Sequence, residues 1–541
     1  MRYGTILRAL LLLSRAAFAQ ELTIPARVRA AAQRITAEQL KRDLHYLSSD
    51  ALRGRDTPSP GFDSAAAYIA RRLSRAGVKP LGDAGTYFQH YTLRETVVDT
   101  AEAYLEIAGR RFRFGTDFLV RTYPRPVTAT TTLVYVGHGM RVPARGIDPY
   151  AGLDVRGKLL LAHGPSALPV GLSSDLLGRR DLDYFTPWAE AHRRGAVGVL
   201  FLPPSQQLGQ WERLRSRGRS SFELEPPVPS AYAAIPTPSI AVKPHVLDAL
   251  LAERGVTGNE LVARGDSSRY LASFELPEAV TLHLPASTNL EHRPYNVVAF
   301  VEGSDPVLKQ EFVTIASHLD GAVGRAVVDG DSVYNAADDN ATGSAGTLAI
   351  AEALARSPRP RRSILFLWDS GEERGLWGTR RFVGKPVVPL DRIVAHINVD
   401  MIGGAKRPGT NVPGEEDLTG PDEVHLIGPR VLSAELDSLL ERANRSYLQL
   451  RLNRTYDTVA SEFFYPRTDA GPFLERGVPT IGFFTGLHPR YHAPADEARY
   501  LDPQKMTAIT RTVFVSVWLL ANAPDRPRLD KGIPDAVPRY R

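Results

Sequence analysis

The stretch "SILFLWDSGEERG", residues 363–375, decides the fold because it joins a core strand to a pair of acidic residues. Its first part, 363–368, is an unbroken apolar run of the kind found in strands buried on both faces of a sheet. Glu372 and Glu373 follow, with a glycine on either side of the pair that lets the backbone turn tightly. Two carboxylates at the end of a core strand indicate a functional site.

The same arrangement repeats through the second half of the chain, where apolar runs alternate with helical spacing. Candidate strands lie at 311–317, 363–368, 392–401, 423–428 and 479–486, and candidate helices lie at 342–357 and 434–447. This alternation predicts an α/β fold with a mixed, mostly parallel central sheet and helices on both faces. Active sites in such sheets lie at the carboxyl ends of the strands.

The chain of 541 residues is longer than one hydrophobic core usually organises, so we expect more than one domain. Residues 36–78 carry helical apolar spacing, whereas 120–275 contain short β-branched runs between turns rich in Pro, Gly and Asp. The pattern at 120–275 predicts a compact β-rich module with one or two helices, inserted into the α/β domain. We divide the chain into an N-terminal part of the main domain (20–119), the insertion (120–275), the rest of the main domain (276–525) and a loose tail (526–541).

Residues 1–19 are predicted to be a signal peptide. "MRYGTILRALLLLSRAAFAQ" has basic residues around an apolar run, and Ala17-Phe18-Ala19 is the small-x-small pattern that precedes cleavage, here before Gln20. Arg15 interrupts the apolar run, and a frayed helix is the alternative reading. We expect an exported protein, periplasmic or secreted. No other window has 18 uncharged apolar residues, so no spanning segment is predicted.

Composition argues against several classes of function. The formal charge of +6 comes from basic residues interleaved with 60 acidic ones, without a Lys/Arg block, so nucleic-acid binding is not expected. The absence of cysteine excludes disulfides, thiolate ligands and cysteine nucleophiles. A bound metal would therefore have only nitrogen and oxygen ligands.

Residues that can bind metal follow each strand of the second half. Singly, each has an ordinary explanation: a helix cap for Asp339, a polar strand end for a histidine, a solvated turn for the glutamates. Together they would place like charges close to one another at one edge of the sheet. Bound divalent cations would remove the repulsion between these charges. The residues are His318, Asp320, Asp338, Asp339, Glu372, Glu373, Asp400, His488 and His492.

Imidazoles and carboxylates without thiolates suit zinc, with manganese or cobalt possible. There are enough carboxylates for two metal ions that share a bridging aspartate and activate a bridging water. The reaction also needs a general base next to that water. In "GEERG" one glutamate would bind metal while its neighbour moves the proton.

The ordered motifs "SHLDG", "NAADDNATGSAGTLAIAEALA", "WDSGEERGLWGTRRF", "INVDMIG" and "GVPTIGFFTGLHPRYHAPADE" resemble those of the di-zinc exopeptidases that include bacterial leucyl aminopeptidases and aminopeptidase Y. The resemblance covers about 290–500, and 36–95 also look like this family's N-terminal part. Residues 120–275 resemble a protease-associated (PA) domain through "DPYAGLDVRGKLLLAHG" and "AHRRGAVGVLFL". Such domains shape access to the cleft and are not catalytic.

The resemblance implies two zinc ions per chain and a peptide substrate. One zinc would be bound by His318 and Asp400, the other by Glu373 and His492, and Asp339 would bridge them. Relatives have a cis peptide after the bridging aspartate, here Asp339-Asn340.

The resemblance also implies three catalytic roles. Glu372 would activate the bridging water and protonate the leaving amine, Asp320 would orient His318, and Tyr491 would hydrogen-bond the oxyanion. His488 remains an alternative ligand to His492. Relatives often carry a ring where this chain has Ala470, in "TDAGPFLERG", so substrate preference stays open.

These residues favour an exported metallo-aminopeptidase. A carboxypeptidase or dipeptidase on the same di-zinc site is the main alternative, and an arginine facing the metals would favour it. A non-catalytic binding protein on the peptidase fold would have lost ligands or base, and all are present here. Glutaminyl cyclisation on a related fold usually comes with one metal and without the insertion.

Overall fold

The structure is a computed structural model that describes residues 24–122, 125–164, 167–173, 176–177, 181–215, 220–231, 235, 237–321, 324, 327–407, 409 and 412–540. The predicted signal peptide at 1–19 lies outside these residues. The chain divides into two compact units. The first is formed by the described residues up to His90 and from Tyr295 onward, and the second runs from Tyr91 to Pro294.

Twenty strands form in the described residues. They are β1 (Lys79–Pro80), β2 (Phe88–His90), β3 (Thr92–Val98), β4 (Tyr104–Ile107), β5 (Arg110–Arg113), β6 (Phe118–Thr122), β7 (Val127–Tyr135), β8 (Leu159–His163), β9 (Gly198–Leu202), β10 (Ser220–Glu225), β11 (Ser239–Val242), β12 (Phe274–Leu284), β13 (Ala286–His292), β14 (Tyr295–Val301), β15 (Phe312–His318), β16 (Ser363–Asp369), β17 (Ile393–Val399), β18 (Glu423–Ile427), β19 (Arg451–Asn453) and β20 (Thr480–Phe484).

The same described residues form fourteen α-helices. They are α1 (Ala26–Gln33), α2 (Ala37–Leu47), α3 (Pro60–Ala76), α4 (Pro187–Arg194), α5 (Ser205–Leu208), α6 (Trp211–Arg215), α7 (Asp248–Leu251), α8 (Gly258–Asp266), α9 (Gly343–Ala355), α10 (Trp377–Gly384), α11 (Pro429–Leu432), α12 (Ala434–Arg445), α13 (Ala470–Glu475) and α14 (Pro503–Asn522).

The first unit is built on one nine-stranded sheet in the order β1-β14-β16-β15-β17-β20-β18-β19, with β2 also paired to β14. The four central strands, β16, β15, β17 and β20, are parallel, whereas β14 and β18 run antiparallel to their central neighbours. This confirms the predicted mixed, mostly parallel sheet. Each predicted strand of the second half lies within two residues of an observed one at either end.

Strand β16 has the two buried faces that its apolar run predicts. Ile364, Phe366 and Trp368 belong to the larger core cluster, which also contains residues of α1, α2, α3, α9, α12 and α14. Leu365 and Leu367 pack on the other face with residues of α10 and α13. Alternate side chains thus enter opposite layers, as the period of a strand requires. The sheet is therefore covered by helices on both sides.

The second unit contains an eight-stranded and a three-stranded sheet. The insertion predicted at 120–275 is too short at both ends, because the second unit runs over 91–294. Within it, β3 pairs with β13 and β4 pairs with β12. A cut at 275 would also divide β12. The predicted number of helices is likewise too small, since five α-helices (α4–α8) lie in this unit.

The predicted loose tail also needs correction. Residues 526–540 contain no helix or strand, but the Tyr540 amide donates to the Glu475 carbonyl, Arg526 pairs with Glu311, and Val537 is buried. The tail is therefore packed on the first unit.

The described helices include no candidate for a membrane span, since none combines the required length with the required apolar character.

Candidate metal centre

The parallel strands bring the predicted residues to one edge of the sheet. His318 ends β15, Glu372 and Glu373 lie in the loop after β16, Asp400 follows β17, and His492 lies in the loop after β20. These four strands are neighbours, so their carboxyl ends meet. Asp339 reaches the same place from the turn that leads into α9.

All five predicted ligands lie in two overlapping groups. His318, Asp339 and Asp400 form one group, and Asp339, Glu373 and His492 form the other, with the ligand atoms of each group within 4.8 Å of one another. Asp339 is the shared member. This is the arrangement expected of two cations bridged by one carboxylate.

Asp339 contacts a histidine through each of its oxygens. His318 Nε2 lies 3.0 Å from Asp339 Oδ1 and 3.6 Å from Asp400 Oδ1. His492 Nε2 lies 3.1 Å from Asp339 Oδ2 and 3.1 Å from Glu373 Oε2. The peptide bond between Asp339 and Asn340 is cis, as the resemblance implies.

The donor set fits a divalent cation. Glu373 Oε1 and Asp400 Oδ1 are buried and have no hydrogen-bond partner among the described residues. Buried carboxylate oxygens without donors are costly unless a charge compensates them. Placed beside two imidazole nitrogens, they offer the nitrogen and oxygen ligands that zinc accepts.

Glu372 belongs to neither group. Burial raises the pKa of the Glu372 carboxyl well above its ordinary value, and Glu373, Asp469 and Asp339 add to the rise against the opposing charge of His318. A raised carboxyl pKa brings the group closer to the range in which it can both accept and return a proton near neutrality.

Asp320 acts on the site in a different way from the one predicted. His318 Nδ1 lies 3.1 Å from the Asp320 carbonyl oxygen, whereas the nearest carboxylate oxygen is 3.9 Å away. The carboxylate instead accepts the backbone N–H groups of Glu372, at 3.2 Å, and Glu373, at 3.4 Å. Asp320 therefore orients the imidazole through its main chain and fixes the loop of the two glutamates through its side chain.

Tyr491 stacks on His492, with ring centroids 3.7 Å apart. Burial raises the pKa of its hydroxyl, so the phenol is protonated at neutral pH. Arg467 donates to the Tyr491 hydroxyl oxygen at 3.0 Å. The O–H hydrogen of Tyr491 is thus directed away from the guanidinium.

His488 and Asp338 form a buried pair that belongs to neither metal group. His488 Nε2 lies 3.2 Å from Asp338 Oδ2, and the other Asp338 oxygen accepts the Gly403 amide at 2.9 Å. His488 is in neither metal group, so the structure favours His492 as the ligand. Asp338 connects the loops that follow β17 and β20.

Sequence reasoning missed the role of Asp496, although it lies in the quoted motif "YHAPAD". Its carboxylate accepts the backbone amides of Asp338, at 3.0 Å, and Asp339, at 3.1 Å. Asp496 thereby holds the backbone of the bridging aspartate. Ala470, where relatives often have a ring, begins α13 and is buried.

The described residues thus combine an α/β fold with two groups of side chains that could each hold a metal ion. The fold is similar to that of the aminopeptidase from Aneurinibacillus sp. strain AM-1, with a TM-score of 0.52, 18% sequence identity, and alignment over 95% of this chain and 100% of that one. The family model described as "Peptidase family M28" matches residues 296–517. This segment contains every predicted site residue. Over this segment the chain is similar to peptidase family M28.

Parts of the chain are also similar to two named proteins. Leupeptin-inactivating enzyme 1 of Streptomyces exfoliatus is 28% identical over 312 residues, 55% of this chain and 61% of that protein. Leucine aminopeptidase 2 of Trichophyton equinum is 24% identical over 292 residues, 49% of this chain and 54% of that protein. The matched region thus spans between half and two thirds of these relatives.

Proposed function

We propose that this chain is an exported zinc aminopeptidase that hydrolyses the first peptide bond of peptides with a free N-terminus. The observation that carries the proposal is the pair of metal groups that share Asp339, with Glu372 beside them and in neither group. Relatives named as aminopeptidases support the direction of cleavage.

Two zinc ions would be held by His318 and Asp400, by Glu373 and His492, and by Asp339 in common; bound there, they supply an activated water and polarise the scissile carbonyl. Glu372 takes one proton from the attacking water as the C–O bond forms. It returns that proton to the leaving nitrogen as the C–N bond breaks, so the step is balanced. Its burial and raised pKa suit this exchange.

Tyr491 and Asp320 assist in this proposal. Tyr491 donates its O–H to the oxygen that becomes negative when the carbonyl is attacked, and Arg467 holds the phenol oxygen from the other side. Asp320 keeps the Glu372 and Glu373 amides in place while the proton moves.

The test is a digest of one peptide in free, N-acetylated and C-amidated forms, read by mass spectrometry. The mature chain is supplied with zinc, and Glu372→Gln is the control. We expect residues to be lost from the amino end, to be protected by acetylation and to be unaffected by amidation. Cleavage that survives acetylation would contradict the proposal.

Arg467 favours one alternative, cleavage next to a free carboxylate. Its guanidinium contacts Tyr491 and is influenced by the charge of Glu372, so a cation faces the site. A bidentate guanidinium suits carboxylate recognition. In the same digest, loss of residues from the carboxyl end that amidation blocks would establish the carboxypeptidase or dipeptidase alternative.

Export is a separate part of the proposal. It is tested by expressing the full chain in a Gram-negative host, fractionating the cells and sequencing the mature amino terminus. A chain in the periplasm or medium that begins at Gln20 is the expected result. A full-length chain retained in the cytoplasm would contradict it.

A further inference from the structure

The feature that the mechanism leaves unexplained is Arg55, which is among the largest fully buried side chains of the first unit and has 0% exposure. A buried guanidinium normally pairs with a carboxylate, because an unpaired charge is costly to bury. The hydrogen bonds found for Arg55 go instead to backbone carbonyls. Such a set of bonds fixes the course of the main chain.

The carbonyls that Arg55 binds belong to the segments that carry metal ligands. Nε donates to Leu319, between His318 and Asp320, at 2.8 Å. Nη1 donates to Asn335 at 3.0 Å and Nη2 to Ala336 at 2.9 Å, just ahead of Asp339. A further bond from Nη1 reaches Leu47, the last residue of α2. One side chain thus joins both ligand segments to the amino-terminal helices.

The backbone around Arg55 is shaped for this approach. Gly54 has a φ of +78°, and a Cβ there would lie 2.3 Å from the Tyr334 carbonyl oxygen. Arg55 itself has a φ of 59°, in the left-handed region. The turn can therefore lie against 334–336 only with glycine at position 54.

The next residue of the turn reaches the other ligand loop. Asp56 pairs with Arg374, which directly follows Glu373, with Oδ2 and Nη2 2.6 Å apart. Two consecutive residues thus contact the segments that carry His318, Asp339 and Glu373.

The charge of Arg55 also suits the site. Burial lowers the pKa of Arg55 to about 10, so the guanidinium is still protonated at neutral pH. The acidic groups that act on it include Asp320, Asp496, Asp339 and Glu373. A fixed positive charge beside these carboxylates reduces their mutual repulsion before any cation binds.

We propose that the turn formed by Arg55 and Asp56 is a positioning clamp, which holds the ligand segments in their binding arrangement before the metals arrive and so raises the affinity for zinc. Neither residue touches substrate in this proposal. It rests on the metal centre of the proposed function, and it concerns metal binding alone.

The test measures zinc affinity by competition with a chelator, without peptide, for Arg55→Lys and Asp56→Asn. Arg55→Lys keeps the charge but cannot reach all the carbonyls, so we expect zinc to bind at least about 10-fold more weakly. Asp56→Asn breaks one ion pair, and we expect a smaller loss of a few-fold.

The matched control is Arg362→Lys. Arg362 is also buried, at 1% exposure, but it directly precedes β16 and pairs with Glu311, which directly precedes β15. This pair lies at the amino ends of the two strands, whereas the site lies at their carboxyl ends. We expect this variant to lose thermal stability while its zinc affinity stays within two-fold of the original.

Unchanged zinc affinity in folded Arg55→Lys would overturn the proposal, even if its melting temperature fell. If Arg55→Lys does not fold, as judged by circular dichroism, Asp56→Asn decides, and unchanged affinity there overturns it. Because no peptide is used, this result is independent of whether the substrate is cleaved from its amino end.

Discussion

At the scale of single residues, the notable feature is that Glu372 and Glu373 are adjacent in the chain but differ in their contacts. Glu373 Oε2 lies 3.1 Å from His492 Nε2, in a metal group, whereas Glu372 belongs to no such group. Asp320 holds both backbone amides. In the proposed mechanism the tight turn thus separates a ligand from a base within one dipeptide.

Glu372→Gln should retain zinc and lose turnover by about 10²- to 10⁴-fold, since the amide cannot accept the proton of the attacking water. The measurement is kcat on a peptide, with metal content determined on the same sample. Glu416→Gln, at an exposed glutamate, is the matched control. Turnover within a few-fold of the original would show that Glu372 is not the base.

Asp339→Ala should lose both metal ions, because its two oxygens contact both histidines. The metal content per chain after dialysis is the measurement. Asp422→Ala, whose side chain is 72% exposed, should keep two. About two ions per chain in Asp339→Ala would mean that another carboxylate, Asp338 first, forms the bridge.

Four of the candidate ligands could be predicted from the sequence because they lie at or after the ends of apolar strands, and parallel strands end at one edge. Asp339 lies instead ahead of a helix, and its bridging role came from the resemblance. The role of Arg55 could not, because its partners are carbonyl oxygens, which every residue has. The same holds for Asp496, which binds two backbone amides. A side chain that binds main-chain atoms needs no particular residue type as its partner, so a sequence pattern cannot reveal the contact.

At the scale of elements, the spacing of apolar residues and the length of apolar runs predicted the strands of the central sheet. The sequence did not reveal which distant strands pair with each other. β3 and β13 are joined in one sheet although about two hundred residues separate them along the chain. Their pairing moves the boundary of the second unit to Tyr91. The local sequence pattern therefore indicated the secondary structure of each segment but misplaced the boundaries of the second unit.

Strand β17 carries a buried histidine that should make the first unit sensitive to acid. His396 stacks on Phe473, with ring centroids 3.7 Å apart, and burial lowers its pKa from 6.5 to about 3. The unfolded chain therefore binds a proton below about pH 6.5 that the folded chain takes up only near pH 3. Stability should fall as the pH is lowered through this window.

His396→Phe, which keeps the stacked ring, should lose less stability between pH 7 and pH 4.5 than the original chain. Urea unfolding of the metal-free protein at both pH values is the measurement, since acid also releases metals. His45→Gln, at an exposed position, is the control and should behave as the original does. An equal loss in His396→Phe and the original would refute this account.

At the scale of the whole molecule, both metal groups found among the described residues lie in the first unit. A ligand stabilises the state that binds it, by about 2.7 kcal/mol at a free concentration 100-fold above its Kd. Zinc should therefore slow amide hydrogen exchange in β15, β16 and β17, and leave β7 and β12 of the second unit unchanged. Asp339→Ala should show no such slowing, and equal protection of both units would contradict the assignment.

The first unit is discontinuous in the chain, and this has a consequence for the order in which the protein can fold. Arg55 and its partner Leu319 are 264 residues apart, and β1 and β2 pair with β14 only after the whole of 91–294 has been made. Contacts so distant in sequence form slowly, because a long loop must close first. During synthesis the second unit can close while residues 24–90 still await their partners. The helices α1, α2 and α3 must therefore stay soluble, by themselves or with a chaperone, until the carboxyl-terminal half emerges.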